Sequence, residues 1–313
     1  MRSIEICAGA GGQALGLEQA GFKHVALIEI DKAACNTLKF NRPAWKVLNM
    51  DVHFYDGAQH KDDDIDLLAG GVPCPPFSDA GFKLGKHDER DLFPEALRLV
   101  SEINPKAVML ENVRGLFNKK FESYRESIVQ WLHDHGYKTE WRLVNSSDFG
   151  VPQLRPRTIL VALKEEYFPF FEWPETKIQP KTVGETLYED MAASGWLFAE
   201  KWKDLANDIA PTLVGGSKKH GGADLGPTRA KKKWAELHVD GKGLANEPPL
   251  NGYEGMPRLT VKMAAKIQGF PESWVITGKK TPAYRQVGNA FPPPVAKIIG
   301  DSIKKALIHG RKK

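Results

Sequence analysis

Residues Ser3 to Ala20, SIEICAGAGGQALGLEQA, place a glycine turn between an apolar strand and a helix. Ser3–Ala8 is predicted to be the strand and Gly12–Ala20 the helix. Gly9 and Gly11 let the backbone turn tightly and let a ligand approach it, and the helix N-terminus supplies N–H donors. The stretch therefore predicts the first unit of an α/β sheet, with a binding loop at the end of its first strand.

The alternation of strand and helix continues through the first half of the chain and indicates a mostly parallel, doubly wound sheet. Residues 172–180 are rich in proline, and residues 211–240 combine glycines with lysines and arginines without a clear period. We predict a core domain at residues 1–180, a smaller loop-rich domain at 181–284 and a C-terminal segment, 285–313, that returns to the core. The other predicted strands are His24–Ile28, Ile65–Ala69, Ala107–Leu110 and Thr158–Leu163, and the other predicted helices are Asp31–Phe40, Leu92–Ile103 and Val295–Leu307.

The composition favours a soluble protein of a reducing compartment. A chain of 313 residues with 42% hydrophobic residues can bury a large core, and three cysteines do not make a disulfide framework. A strand begins within two residues of Met1 and no apolar run is as long as a membrane span, which predicts a cytoplasmic protein without a signal peptide. The net charge of +5 is compatible with a polyanionic partner but is also common among other enzymes.

An acidic side chain follows the glycine turn at the spacing of a ribose-binding carboxylate. Glu29 lies 20 residues after Gly9, at the end of the second predicted strand, where a carboxylate can accept both ribose hydroxyls. With Ala14 the loop also fits the pattern G-x-G-x-x-A, so a nicotinamide-dependent dehydrogenase is an alternative, as is a glycine turn with no ligand. Asp51 ends a short strand-like stretch and can hydrogen-bond an adenine amino group, although such a residue is more often part of a turn.

A second group of residues has the chemistry of nucleophilic catalysis. Gly70–Ser78, GGVPCPPFS, places Cys74 after a buried strand, and the prolines on both sides restrict the direction of the thiol. Glu111 follows the predicted strand Ala107–Leu110, so its carboxyl group can share a cleft with Cys74 and supply a proton for addition to an electron-poor ring. The alternating arginines of Gln153–Arg157, QLRPR, point to one face.

In this order the motifs resemble those of the C5-cytosine-specific DNA methyltransferases of bacterial restriction-modification systems, over nearly the whole chain. The resemblance implies a Rossmann-like methyltransferase core that uses S-adenosylmethionine, with a smaller target-recognition domain. The motifs that carry it are Gly9/Gly11/Gly12, Glu29 with Asp31, Asp51, Pro73-Cys74, Glu111-Asn112-Val113, Gln153-x-Arg155-x-Arg157, Arg258-Leu259-Thr260, Gln268-Gly269-Phe270-Pro271 and Gln286-Val287-Gly288-Asn289.

The resemblance implies four catalytic residues and a base turned out of the duplex. The Cys74 thiolate would attack C6 of cytosine, which makes C5 reactive towards a methyl sulfonium. Glu111 would hold and protonate N3. Arg155 would contact the base carbonyl, while Arg157 would brace the site. Asp79–Glu89 resembles the mobile loop that closes over the base.

The resemblance also implies a binding site for S-adenosylmethionine, and no metal site is predicted. Cys7 stands where the family usually has a phenylalanine packed on the adenine, and this smaller side chain is expected to weaken the packing. The implied cofactor-binding residues are Cys7, Gly9, Gly11, Gly12, Glu29, Asp51, Pro73, Leu92 and Asn289.

The implied partner is double-stranded DNA. The glycine- and lysine-rich region lies where the family has its target-recognition domain, and Lys/Arg side chains there can neutralise phosphates; a solvated basic loop is the alternative. The candidate DNA-binding residues are Ser78, Arg90, Gln153, Lys218, Lys219 and Arg229.

Three other functions compete with this interpretation. A dehydrogenase does not explain Cys74, Glu111 or the arginine motif, and a non-catalytic DNA-binding regulator would be expected to have lost Cys74 or Glu111. An RNA cytosine methyltransferase usually has a Cys-Phe-Thr signature, which this sequence lacks. We therefore predict a monomeric bacterial or phage enzyme that protects DNA from a companion restriction endonuclease.

Overall fold

The computed structural model describes residues 1–73, 91–176, 178–215 and 223–311. A seven-stranded sheet has the order β3-β2-β1-β4-β5-β7-β6, in which the first five strands are parallel and β6 and β7 are antiparallel to their neighbours. The strands are β1 (Arg2–Ile6), β2 (Lys23–Glu29), β3 (Val47–Asn49), β4 (Leu67–Gly70), β5 (Ala107–Val113), β6 (Tyr137–Asn145) and β7 (Pro156–Lys164).

Helices cover both faces of the sheet, and the helical part of the chain after the last strand, residues 181–289, is called the second lobe. The helices are α1 (Gly12–Gln19), α2 (Lys32–Asn41), α3 (Phe93–Ile103), α4 (Glu122–Asp134), α5 (Val183–Ala192), α6 (Ala199–Leu205), α7 (Thr228–Glu236), α8 (Val261–Ile267), α9 (Lys280–Asn289) and α10 (Pro293–Gly310).

Alternate side chains of each buried strand belong to opposite faces of the sheet, which explains the doubly wound arrangement. Leu68 of β4 packs in the core formed with α3 and α4, whereas Leu67 and Ala69 pack in the core formed with α1 and α10. Helix α10 therefore returns the C-terminal segment to the sheet. The predicted doubly wound α/β core is confirmed.

Strand order reverses direction between β1 and β4, because β1 continues to β2 on one side and β4 to β5 on the other. The segments that follow β1 and β4 leave the sheet towards opposite sides, and this opens a crevice at the carboxyl ends of these two strands. Strand β5 is longer than predicted, since its pairing with β7 continues to Val113 opposite Arg157. Glu111 consequently lies within β5 and not in the turn after it.

The second lobe has more helix than its sequence indicates. Helix α7 lies inside the region predicted to be loop, and the predicted boundary between residues 284 and 285 falls within α9. The lobe's core is continuous with the glycine turn, because Ala8 and Ala10 belong to the same buried cluster as Trp202, Trp234 and Trp274. Within the described ranges, no helix is long and apolar enough to span a bilayer.

Candidate active site and cofactor cleft

A cleft of about 610 Å³ opens at the crevice between β1 and β4. Its walls come from the glycine turn, the ends of β2 and β5, the segment after β4 and the end of α9. The predicted site residues that line it are Cys7, Gly9, Gly12, Glu29, Asp51, Pro73, Leu92, Glu111, Arg157 and Asn289.

Three residues of the glycine turn have a left-handed backbone conformation. Cys7, Gly9 and Gly11 have φ values of 52°, 54° and 85°. Strand β1 therefore ends at Ile6, two residues earlier than predicted. Gly9 faces open space, since a Cβ there would meet nothing within 4 Å, whereas Gly11 is packed beneath the turn and does not line the cleft. The turn thus presents backbone to the cleft on one side and is packed tightly on the other.

Glu29 joins the turn to the start of α2. Its carboxylate accepts the backbone N–H of Gly9 and of Asp31, both at 2.7 Å. Burial raises the pKa of Glu29, and these two N–H groups oppose that rise by stabilising the charged form. The carboxylate is held rigidly at the cleft wall, where it retains lone pairs for ligand hydroxyls.

The remaining cleft residues lie on separate elements. Asp51 accepts the backbone N–H and the Nδ1 of His53, which lowers the pKa of Asp51. The backbone N–H of Leu92 donates to the carbonyl of Pro73 at 3.3 Å, so the chain on either side of residues 74–90 meets at the cleft. Asn289 packs on Gly215, because a methyl group at Gly215 would lie 2.1 Å from its Oδ1.

Glu111 and Arg157 form a largely buried ion pair in the lining of the cleft. The Nε of Arg157 lies 2.7 Å from an oxygen of Glu111. Burial raises the pKa of Glu111, while Arg157 and Arg155 lower it by a smaller amount. Asn112 donates to the carbonyl of Val72 at 2.8 Å, which ties β5 to the segment that leads into Cys74. The carboxyl group therefore takes up a proton more readily than that of an ordinary glutamate, and in the protonated form it can donate that proton.

The two arginines occupy positions opposite to the predicted roles, in which Arg155 contacts the base and Arg157 braces the site. The Arg155 guanidinium is fully buried and donates to the carbonyls of Leu213, Gly288 and Ala290 at 2.7, 2.8 and 3.0 Å. Arg155 lies just before β7, so the alternation of side chains along that strand does not govern its direction. Its side chain turns into the joint between the lobes, whereas Arg157 faces the cleft.

Gln153 is buried within the protein, contrary to the predicted contact with DNA. Its side chain donates to Gln268 Oε1 at 2.7 Å and accepts the backbone N–H of Leu213 at 2.8 Å. The amide links the core to the second lobe. A buried amide with both ends bonded in this way has a structural role.

The cleft also contains polar residues that the sequence motifs do not identify, and Glu5 and Gln13 are two of them. Glu5 of β1 and Gln13 of α1 line the cleft, and both are almost fully buried. Within the described part of the chain, neither carboxylate oxygen of Glu5 nor the amide nitrogen of Gln13 makes a hydrogen bond of ordinary geometry, although the backbone N–H of Ala14 partly opposes the rise in the pKa of Glu5. The sequence signal for Glu5 is a charged residue between Ile4 and Ile6 in an otherwise apolar strand beside the glycine turn.

Several predicted residues lie outside the described part of the chain: Cys74, Ser78, Arg90, Lys218, Lys219 and the loop Asp79–Glu89. Arg229 is described and is exposed on α7. Among the described residues, no cluster of three His, Cys, Asp or Glu side chains is arranged to hold a metal ion.

The comparisons with known proteins agree on one family. The family model for C-5 cytosine-specific DNA methylases matches residues 1–305. The Type II methyltransferase M.NgoMIV of Neisseria gonorrhoeae is 56% identical over 97% of both chains, and M.NaeI of Lentzea aerocolonigenes is 55% identical over 97% of this chain and 75% of its own.

Solved structures extend the comparison to the fold. A protein described as a DNA modification methyltransferase encoded within an E. coli prophage aligns over 100% of both chains, with a TM-score of 0.69 and 25% identity. DNMT2 of Spodoptera frugiperda, at 19% identity, aligns with a TM-score of 0.70 over 98% of this chain and 99% of its own. The chain therefore belongs to the C-5 cytosine-specific DNA methylases, which use S-adenosylmethionine as methyl donor.

Proposed function

We propose that the cleft binds S-adenosylmethionine beside a flipped cytosine and that Cys74, Glu111 and Arg157 act on that base. The observation that carries the proposal is the buried pair of Glu111 and Arg157 in the same cleft as the glycine turn and Glu29. One cleft then brings together the groups for the base and the groups for the cofactor.

The unpartnered polar atoms of the cleft suit this cofactor. The free oxygens of Glu5 match an ammonium group, and the free amide N–H of Gln13 matches a carboxylate, which are the two charged groups of an amino-acid moiety. Glu29 would bind the ribose hydroxyls and Asp51 the adenine amino group. The other candidate binding residues are Cys7, Gly9, Gly12, Pro73, Leu92 and Asn289. When bound, S-adenosylmethionine supplies an electrophilic methyl group.

The residues at the other end of the cleft would activate cytosine. The Cys74 thiolate adds to C6, and the protonated Glu111 carboxyl group stabilises N3 as negative charge develops there. Arg157 holds Glu111 in place and is the arginine that faces the cleft, so we assign the base carbonyl contact to it. Arg155 would act only as the buried brace between the lobes.

Helix α7 is proposed as a contact to the DNA backbone. Lys231 is paired with Asp224 and Lys233 with Glu236, whereas Arg229 and Lys232 are exposed without an ion-pair partner among the described residues. These cations, with Lys218 and Lys219 of the neighbouring segment, can neutralise phosphates. The enzyme would act as a cytoplasmic monomer, together with a companion restriction endonuclease.

Replacement of Glu111 tests the assignment. Glu111→Gln should keep the affinity for S-adenosylmethionine, and it should reduce single-turnover methyl transfer to duplex DNA by at least about 100-fold, because the amide cannot supply a proton. Glu122→Gln, an exposed change on α4, is the matched control. Equal turnover by the two variants would contradict the proposed acid.

A further inference from the structure

An aromatic side chain from the second lobe is hydrogen-bonded to the glycine turn. The indole N–H of Trp274 donates to the carbonyl of Ala10 at 3.1 Å, and the ring is buried. A methyl group at Gly11 would lie only 2.8 Å from this ring. Trp274 therefore contacts the turn both through a hydrogen bond to its backbone and by close packing beneath it.

Arg42 and Phe270 also contact the ring of Trp274. The Arg42 guanidinium lies 5.3 Å from the ring centre of Trp274 and 5.8 Å from that of Trp45, within the range of cation–π attraction. Glu18 of α1 accepts hydrogen bonds from Nε and Nη2 of Arg42 at 2.8 to 3.0 Å. Phe270 stacks on Trp274 with ring centres 6.2 Å apart. The indole thus has one well-defined position.

The backbone after Trp274 is also attached to the core. Asn41 of α2 exchanges two hydrogen bonds of 2.8 Å with the backbone of Val275, and Thr37 accepts the N–H of Thr277 at 3.0 Å. Thr37 also donates to Gln286 at 2.6 Å, and Gln286 lines the cleft. Helix α2 therefore holds the segment that carries Trp274 in register with the glycine turn.

We propose that Trp274 is a positioning residue for the glycine turn, through which the second lobe sets the affinity for S-adenosylmethionine. Several residues of the turn have a left-handed backbone conformation, and one of them, Cys7, is not a glycine. Because this conformation is strained for a residue with a side chain, contacts from outside the turn must stabilise it. Trp274 holds the turn in its binding conformation in the ligand-free protein. Less conformational entropy is therefore lost when S-adenosylmethionine binds. The inference rests on the proposed cofactor site.

A pair of tryptophan variants separates positioning from general stability. Trp274→Phe keeps an aromatic ring but removes the hydrogen bond to Ala10. Trp202→Phe is the matched control, because Trp202 is comparably buried in the second lobe and donates to the carbonyl of His238 at 3.0 Å, away from the turn. The measurements are the Kd for S-adenosylmethionine by calorimetry, the KM and kcat for methyl transfer, and the melting temperature.

We expect Trp274→Phe to raise the Kd and KM for S-adenosylmethionine about five-fold, the effect of one ordinary hydrogen bond, with kcat at saturating cofactor and the Kd for DNA unchanged. Trp202→Phe should leave the cofactor constants unchanged, even if both variants melt earlier. Equal cofactor affinity in both variants would overturn the proposal.

A third variant distinguishes this failure from failure of the proposed site. Glu29→Ala should weaken S-adenosylmethionine binding whatever Trp274 does, because Glu29 lines the cleft directly. If Glu29→Ala binds normally, the cofactor site itself is wrong. If Glu29→Ala binds weakly while Trp274→Phe binds normally, only the positioning role is wrong.

Discussion

At the scale of single residues, Glu5 is a buried carboxyl group whose two oxygens make no hydrogen bond of ordinary geometry with the described residues. Burial raises its pKa well above the value of 4.5 for an ordinary glutamate. The folded protein therefore keeps a proton that the unfolded chain releases, and the free energy of unfolding falls as pH rises from about 4.5 towards the raised pKa. Such a group costs stability at neutral pH, which a bound ammonium group would offset.

Glu5→Gln should consequently raise the melting temperature of the ligand-free enzyme at neutral pH, and this gain should vanish below about pH 4.5. The same variant should bind S-adenosylmethionine about ten-fold more weakly, because it cannot pair with the ammonium group. Calorimetric melting across pH and a binding titration measure the two effects. A variant that is less stable than the wild type at neutral pH and binds normally contradicts this role of Glu5.

The cysteines should differ sharply in reactivity. Burial raises the pKa of the Cys7 thiol, with a further contribution from Glu29, and it raises the pKa of Cys35 to about 11. Both thiols stay protonated at about pH 8, where only thiolates react rapidly. Iodoacetamide should therefore modify Cys74 first, with loss of activity, as peptide mass spectrometry would show. Labelling of Cys7 or Cys35 at a comparable rate would be inconsistent with these pKa shifts.

Substitutions of Arg155 and Arg157 should affect different properties, stability for Arg155 and the rate of methyl transfer for Arg157. Arg155→Met leaves the buried carbonyls of Leu213 and Gly288 without a donor, while Gln268 still donates to that of Ala290. The change should lower the melting temperature by several degrees, since each unpaired group costs about 1–3 kcal/mol. Arg157→Gln should lower kcat by at least about 100-fold. It should lower the melting temperature less than Arg155→Met does, because the glutamine amide can still donate to Glu111. Thermal melts and single-turnover rates of both variants test this assignment. The reverse pattern would restore the roles predicted from the sequence.

The residue scale also shows what the sequence can predict. Residue types and their order identify Glu29, Asp51 and Glu111 as candidates, because each follows or ends a strand that apolar runs predict from the sequence. The sequence does not distinguish Arg155 from Arg157 in the same way. The direction of Arg155 depends on contacts with Gly288 and Ala290, which are more than 130 residues away in the chain.

At the scale of elements, α7 carries the proposed backbone contact to DNA. The double variant Arg229→Gln/Lys232→Gln should reduce the slope of log Kd against log salt concentration by about 2, that is, by about one unit for each phosphate that is no longer neutralised. Lys138→Gln/Lys164→Gln, on the neighbouring strands β6 and β7, is the control. Equal slopes for the two double variants would exclude α7 from the DNA interface.

Elements differ in how clearly the sequence specifies them. The predicted bounds of β1, β2, β4 and β7 agree with the structure to within about two residues at most ends, because continuous apolar runs mark buried strands. Helix α7 lies in a stretch that the sequence predicts to be loop, since glycines precede it and lysines cover its surface, and only Trp234 is buried within it. Tertiary packing of that one indole, and not local periodicity, fixes the helix in the lobe.

At the scale of the whole molecule, the cleft depends on both lobes. The sheet supplies Glu29 and Glu111, whereas Asn289 and Trp274 come from the far end of the chain. The alternation of apolar strands with helices predicts the doubly wound core, and the order of the motifs predicts the family. Both can be recognised from short stretches of sequence. The contacts that Gln153 and Arg155 make between the core and the second lobe are not predictable in this way. The same short polar motif can contact either DNA or another part of the protein, and its sequence does not distinguish the two.

The decisive measurement is methyl transfer from labelled S-adenosylmethionine to unmethylated duplex DNA and, in parallel, to tRNA, with the modified cytosines mapped at base resolution. We predict label on C5 within one short recurring DNA sequence, none on tRNA, and none from Cys74→Ala, which should still bind DNA and cofactor. Label on tRNA alone, or continued turnover by Cys74→Ala, would contradict the proposed mechanism.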